Sequence, residues 1–157
     1  MTVRTPSQTV GPFYSIGLCR RSDNELVRDG IRLTGRLLDG AGTPVVDGMV
    51  ELWDPVERRW GRSGTHPAGS FSFLIAKPPA RGGKAPHLLA FVFARGLLEH
   101  RLTRIYFPDE AEANGADPVL SSLDEGERAR LVAERDDGGL RFDIHLQGDL
   151  ETIFFSA

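Results

Sequence analysis

Histidine, tyrosine and cysteine are the side chains through which a small protein most often does metal or redox chemistry, and here they are sparse. The chain has four histidines (His66, His87, His100 and His145), two tyrosines (Tyr14 and Tyr106) and one cysteine, Cys19. A His-x-His pair in a strand puts both imidazoles on one face, a common way for a β-protein to present a metal. No such pair occurs, and the residue two after His87 is Leu89. His100 and His145 alternate with apolar neighbours and read as solvated or structural, so a metal site improvised from the four histidines is disfavoured. Cys19 lies beside Arg20 and Arg21, which favour a thiolate, but no histidine is placed to act as its base, and there is no Gly-x-Ser-x-Gly elbow. Arg81-Gly82-Gly83-Lys84 has the composition of a phosphate cradle without the spacing, and reads as a loop. Arg101 and Arg104 bracket Thr103 in an apolar run and fall on opposite faces of a strand. One of them points where an anion, a carboxylate or a subunit interface must make an arginine tolerable.

The elements that position these residues are mostly β. Glycines and prolines punctuate short apolar runs, and the runs alternate at period two more often than they show helical spacing. The pattern predicts strands at 31–38, 49–53, 70–75, 88–94, 102–107, 131–135, 140–146 and 151–155. Asp39 to Pro44 is a turn cluster, and Asp136-Asp137-Gly138-Gly139 is a hairpin signal because glycine takes positive φ without steric cost. In the 140–146 run, Phe142, Ile144 and Leu146 face the core while Arg141, Asp143 and His145 face away. A short helical segment is expected near 109–130, capped by Ser121 or Ser122. The expected architecture is a mainly β, single-domain sandwich over 1–157, with an extended N-terminal arm at 1–30 laid on the body at 31–157.

Composition narrows the function classes. With 40% hydrophobic and 26% charged residues the chain has ordinary globular usage, and at 157 residues it has enough core to fold without disulfides. One cysteine excludes an internal bridge and fits a reducing, cytoplasmic setting. The net charge of −3, with signs interspersed, argues against nucleic acid as a partner. No apolar run approaches the ~20 residues of a membrane span, and the N-terminus shows no apolar signal core.

Several segments, in order, resemble the intradiol ring-cleavage dioxygenases. They are Thr5-Pro6-Ser7-Gln8-Thr9-Val10-Gly11-Pro12-Phe13, Val50-Glu51-Leu52-Trp53, Lys77-Pro78, Phe93-Ala94-Arg95-Gly96, Thr103-Arg104-Ile105-Tyr106-Phe107, Arg141-Phe142-Asp143-Ile144 and the ending Gly148-Asp149-Leu150-Glu151-Thr152-Ile153-Phe154-Phe155. The likeness covers nearly the whole chain. Ala85-Pro86-His87, Phe93 to Gly96 and the ending are similar to the α-type subunits of the two-subunit members.

That resemblance implies a sandwich paired with a homologous β subunit in an obligate hetero-oligomer. It implies O2-dependent opening of protocatechuate (3,4-dihydroxybenzoate) between its hydroxyls, giving 3-carboxy-cis,cis-muconate. Catalytic subunits of the family hold Fe(III) with two tyrosinates and a His-x-His pair, since hard phenolate oxygens suit ferric iron. Here His87 falls on the first histidine and Leu89 on the second. The tyrosine-bearing segments correspond to 57–60 and 78–83, which contain no tyrosine, and Lys84 stands near the place of a family arginine. The implied role is therefore an iron-free subunit, binding no metal itself, with Fe(III) on the β partner. Thr9, Gly11, Pro12 and Phe13 of the arm and Arg104 of the strand would line the substrate site. A binding or scaffold module descended from the same family is the alternative. The preserved arm motif weighs against it, because the fold alone does not require that motif.

Overall fold

Period-two alternation turns into two packed sheets. The computed structural model describes residues 4–156. In the first sheet, β1 (Ile31–Leu38) is the hub: it pairs antiparallel with β4 (Ser70–Ile75) and parallel with β8 (Gly139–Arg141), which in turn pairs with β7 (Glu134–Asp136). The far end of β1 pairs with β9 (Ile144–His145). The second sheet is antiparallel throughout, in the order β3 (Arg59–Gly64), β2 (Met49–Asp54), β5 (His87–Phe93) and β6 (Arg101–Tyr106). Leu33, Leu37, Phe71, Phe73 and Ile75 from one sheet meet Val50, Leu52, Leu88, Ala90, Val92 and Ile105 from the other, all nearly or fully buried. This is the expected β-sandwich.

Strands β1 and β4 keep their expected bounds, and β5 and β6 are displaced by one residue. Four expectations are corrected. Strand β3 carried no apolar alternation, because Arg59, Gly61 and Arg62 sit on a half-buried edge whose register comes from β2, with Trp60 opposite Trp53 and Arg62 opposite Glu51. The 140–146 run breaks at Asp143, whose carboxylate accepts the Arg36 amide at 2.9 Å in place of a backbone carbonyl. Of its core-facing set, Phe142 and Ile144 are buried and Leu146 is partly buried. The 131–135 run becomes a strand only from Glu134, since Leu131 and Ala133 exchange backbone hydrogen bonds with Tyr106 alone. The 151–155 run follows the β6 edge with one backbone bond, Phe155 to Leu102, and one from the Thr103 hydroxyl to the Ile153 carbonyl, 2.7 Å. It covers that edge without forming a ladder.

The helical segment is present as α2 (Ala111–Ala116), a 3₁₀ turn at Leu120–Ser122 and α3 (Glu125–Ala129). Its cap is Asp124, in a reciprocal capping box with Glu127, and neither Ser121 nor Ser122. The acidic side chain accepts the Glu127 amide at the helix start, where a negative charge is also favoured. The expected arm has no regular structure over 4–11, turns at Pro12 and Phe13, and then coils into the short helix α1 (Tyr14–Leu18). The start of the arm at 1–3 lies outside the described residues. Tyr14 donates to the Phe93 carbonyl at 2.5 Å, Arg62 donates to the Leu18 carbonyl, and Asn24 and Leu26 bond to the β4 edge, so the arm lies on the second sheet and its border with the first. Among the described residues no helix is long and apolar enough to cross a membrane.

Candidate functional site

Because β5 buries Leu88, Ala90 and Val92, it turns His87 and Leu89 to the outer face of the second sheet, where Tyr106 and Arg104 of β6 stand opposite them. Two loops close over this face. One follows β2 and brings Pro55 and Val56; the other carries Pro79 to Lys84. The Pro79 loop turns tightly at Gly82 and Gly83, whose φ values of +61° and +73° are left-handed and suit glycine, while Arg81 and Lys84 exchange backbone hydrogen bonds across the turn. What remains between loops and sheet is a cavity of about 400 Å³, lined by His87, Leu89 and Arg104 below and by Arg81 and Lys84 at its rim.

The site's hydrogen bonds are directional. His87 Nδ1 lies 2.8 Å from the Ala85 carbonyl, which can only accept, so Nδ1 carries the proton and Nε2 is the ring's acceptor. Burial pushes the imidazole pKa down, against the raising effect of that bond, and Arg104 and Lys84 push it further down. Arg104 Nη1 donates to the Tyr106 hydroxyl at 3.1 Å, and Tyr106 donates to Asp117 Oδ1 at 3.2 Å. The guanidinium also lies 5.2 Å above the Phe155 ring. Asp117 is fully buried and takes the Ala85, Val119 and Leu120 amides. Burial raises the Tyr106 phenol to about 12 despite the lowering effect of Arg104. Arg104 is thus anchored from behind by Tyr106 and Asp117.

This set does not fit a ferric ion of the family's kind. One imidazole is available, the second histidine position holds Leu89, the Tyr106 phenol is protonated and engaged, and the rim is cationic. No group of three or more His, Cys, Asp or Glu side chains is placed to hold a metal among the described residues. The other histidines are scattered: His66 and His100 are exposed, His145 is half-buried, and His100 packs against Phe91 and Phe93. Cys19 is not activated, because burial pushes its thiol pKa up and outweighs the lowering by Arg62.

The arm residues sit elsewhere. The Thr9 hydroxyl accepts the Gly96 amide at 2.7 Å, Phe13 is 77% exposed, and Gly11 and Pro12 are exposed. A Cβ at Gly11 would meet nothing within 4 Å. Beside the arm is a larger cleft of about 720 Å³ between Gln8, Val10, the loop after β5, and Phe154 and Phe155. Gly96 lies beyond the far end of β5 from Leu89, and the four residues from Leu89 to Phe93 alone span roughly 13 Å. Within this chain, then, Arg104 and the Thr9–Phe13 stretch are not brought together. Sequence reasoning missed Tyr106 and Asp117 as anchors and Arg81 and Lys84 as rim cations. Tyr106, two residues beyond Arg104 on one strand face, was the signal available for the first.

A curated relative, the protocatechuate 3,4-dioxygenase alpha chain of Burkholderia cepacia, is 36% identical over 98% of this chain and 98% of its own length. The chain belongs to the intradiol ring-cleavage dioxygenases, as an alpha-type subunit. The alignment runs to 192 positions against 157 residues, so the alpha-chain relative carries segments that this intradiol dioxygenase subunit lacks. The protocatechuate 3,4-dioxygenase beta chain of the same organism is 27% identical over 80% of this chain and 68% of its own length. Among solved structures, the dioxygenase domain of a dioxygenase carbohydrate-binding fusion from Streptomyces sp. SirexAA-E has a TM-score of 0.59 at 19% identity, covering 92% of this chain and 99% of that one. That likeness is one of fold. No family model matches the chain.

Proposed function

We propose that this chain is the iron-free subunit of a two-subunit, cytoplasmic enzyme that opens protocatechuate between its hydroxyls with O2, giving 3-carboxy-cis,cis-muconate. In this reading Fe(III) is held by a homologous β subunit in an obligate hetero-oligomer, and residues 1–157 act as one domain whose arm reaches the partner. The observation that carries it is the cationic cavity at the family's metal position, where Leu89 and Arg104 stand and a ferric ion has no ligand set. The chain contributes binding and orientation. Thr9, Gly11, Pro12 and Phe13 offer an exposed, rigid stretch of backbone and one aromatic ring, and Arg104 offers a fixed guanidinium for a carboxylate. Nothing inside the chain calls for a glycine at position 11, which supports a contact with a surface outside it.

The test is iron content and protocatechuate ring opening for the chain expressed alone and with its β partner. Iron and turnover only in the copurified pair are the expected result. Stoichiometric iron and turnover in the chain alone would overturn the reading, and an iron-loaded but inactive pair would favour a scaffold module.

A further inference from the structure

We infer that the Pro79–Lys84 loop is a lid over the cavity beneath it, hinged at Ala85 and latched by Lys77, with α2 as the bracket that holds both of its ends. The inference concerns motion within this chain and needs neither the iron nor the partner of the proposed function.

Exposure marks the part that can move. Residues 79–84 are all exposed, while Pro78 before them and Ala85 after them are buried. Among the described residues, the only hydrogen bonds of 79–84 are the two that Arg81 and Lys84 exchange across the turn, and none of the six takes part in an ion pair. Pro79, Arg81, Gly82 and Lys84 nevertheless line the cavity, so displacing the loop opens it. A segment with few buried contacts and no hydrogen bonds to the body is where local opening costs least.

Both ends of the lid are held by acidic residues at the two ends of α2. At the start, Lys77 Nζ donates to Asp109 Oδ2 at 2.7 Å and to Oε1 of Glu110, the residue that begins α2. At the end, Asp117, which closes α2, takes the Ala85 amide on Oδ2 at 2.9 Å. The helix is itself pinned to the second sheet, because Asn114 Nδ2 donates to the Phe107 carbonyl just beyond β6.

The two attachments differ in strength. Asp117 is fully buried and also holds the Val119 and Leu120 amides and the Tyr106 hydroxyl, and Ala85 packs in one cluster with Tyr106, Leu120 and Leu131. Lys77 and its two carboxylates are partly exposed, where ion pairs contribute little and weaken with salt. The Lys77 end therefore releases first, and the loop swings from Ala85.

The experiment is limited trypsin digestion of the full chain. Trypsin cuts after Arg81 and Lys84 once the loop detaches far enough to enter the protease, and it does not cut at Lys77 because Pro78 follows. Lys77→Met, which keeps the aliphatic stem, should speed nicking roughly threefold to fivefold, whereas Lys77→Arg should stay within about twofold of wild type. Asp109→Asn combined with Glu110→Gln should match Lys77→Met, and adding Lys77→Met to that pair should bring no further gain. Exchange of the Ala85 amide should stay within about twofold throughout, and the global urea midpoint should not move. Nicking unmoved by Lys77→Met, a further gain in the triple variant, or Ala85 exchange rising as fast as nicking would each overturn the latch and hinge. A lowered global midpoint in both Lys77→Met and the carboxylate pair would overturn them too, since the ion pairs would then belong to the cooperative fold.

Discussion

Leu89 and Arg104 stand directly opposite each other across the antiparallel β5–β6 ladder, an apolar residue and a cation on the face where the family's catalytic members place a metal. The Arg104 guanidinium is held there by the Tyr106 hydroxyl, which Asp117 holds in turn.

Arg104→Ala in the assembled enzyme should lower kcat/KM for protocatechuate by roughly 10-fold or more, the loss of one charge-assisted contact. Plain catechol, which lacks the carboxylate, should lose less than about twofold. Steady-state kinetics on both substrates checks this, and equal losses would show that Arg104 does not read the carboxylate.

Thr9→Val removes the acceptor for the Gly96 amide, the hydrogen bond that ties the start of the arm to the loop after β5. Amide exchange at Gly96 should speed up roughly fivefold, while the global urea midpoint stays in place. Tyr14→Phe should do the same for the second tether, at the Phe93 carbonyl, and the two together should expose the arm to limited proteolysis. A shifted global midpoint would mean that the arm is part of the cooperative core.

Asp117→Asn should flatten the acid side of the stability curve. Burial alone would raise the Asp117 carboxyl, but the Ala85, Leu120 and Val119 amides and the Tyr106 hydroxyl outweigh it and hold the group below the usual carboxylate range. A carboxyl depressed in the folded state adds stability above its unfolded value near ~3.9, and that stability is lost as pH falls through the folded value. The wild type should lose stability below about pH 5 more steeply than the variant, and at pH 7 the variant should be about 1–3 kcal/mol less stable. Urea midpoints measured from pH 3 to 7 settle both points.

Gly35→Ala should destabilise the chain by about 3 kcal/mol or more, because the added Cβ would come within 1.9 Å of the Phe142 carbonyl oxygen, which is backbone and cannot move aside. Gly11→Ala, with open space around its Cβ, should leave stability within about 0.5 kcal/mol of wild type. Comparison of the two by thermal unfolding separates a glycine needed by the sandwich from one the isolated chain does not need.

The sequence by itself determined the β-sandwich and the broken ligand set. Residues 31–38 and 70–75 alternate so regularly that only a strand buries Leu33, Leu37, Phe71 and Phe73 on one face, and a leucine at position 89 cannot bind a metal in any fold. The tertiary structure decided the rest. Strand β3 is a strand because β2 lies beside it; the 140–146 run breaks because the Arg36 amide, far away in the chain, is offered to Asp143. Arg81 and Lys84 lie on an exposed loop, as the sequence implies, but only the turn at Gly82 and Gly83 puts them on the rim of the cavity that Arg104 lines, and within the single chain Thr9 lies at the other end of β5 from Arg104. Local patterns record which face each side chain takes. Which remote faces meet is set by strand register and loop closure, and those belong to the whole chain.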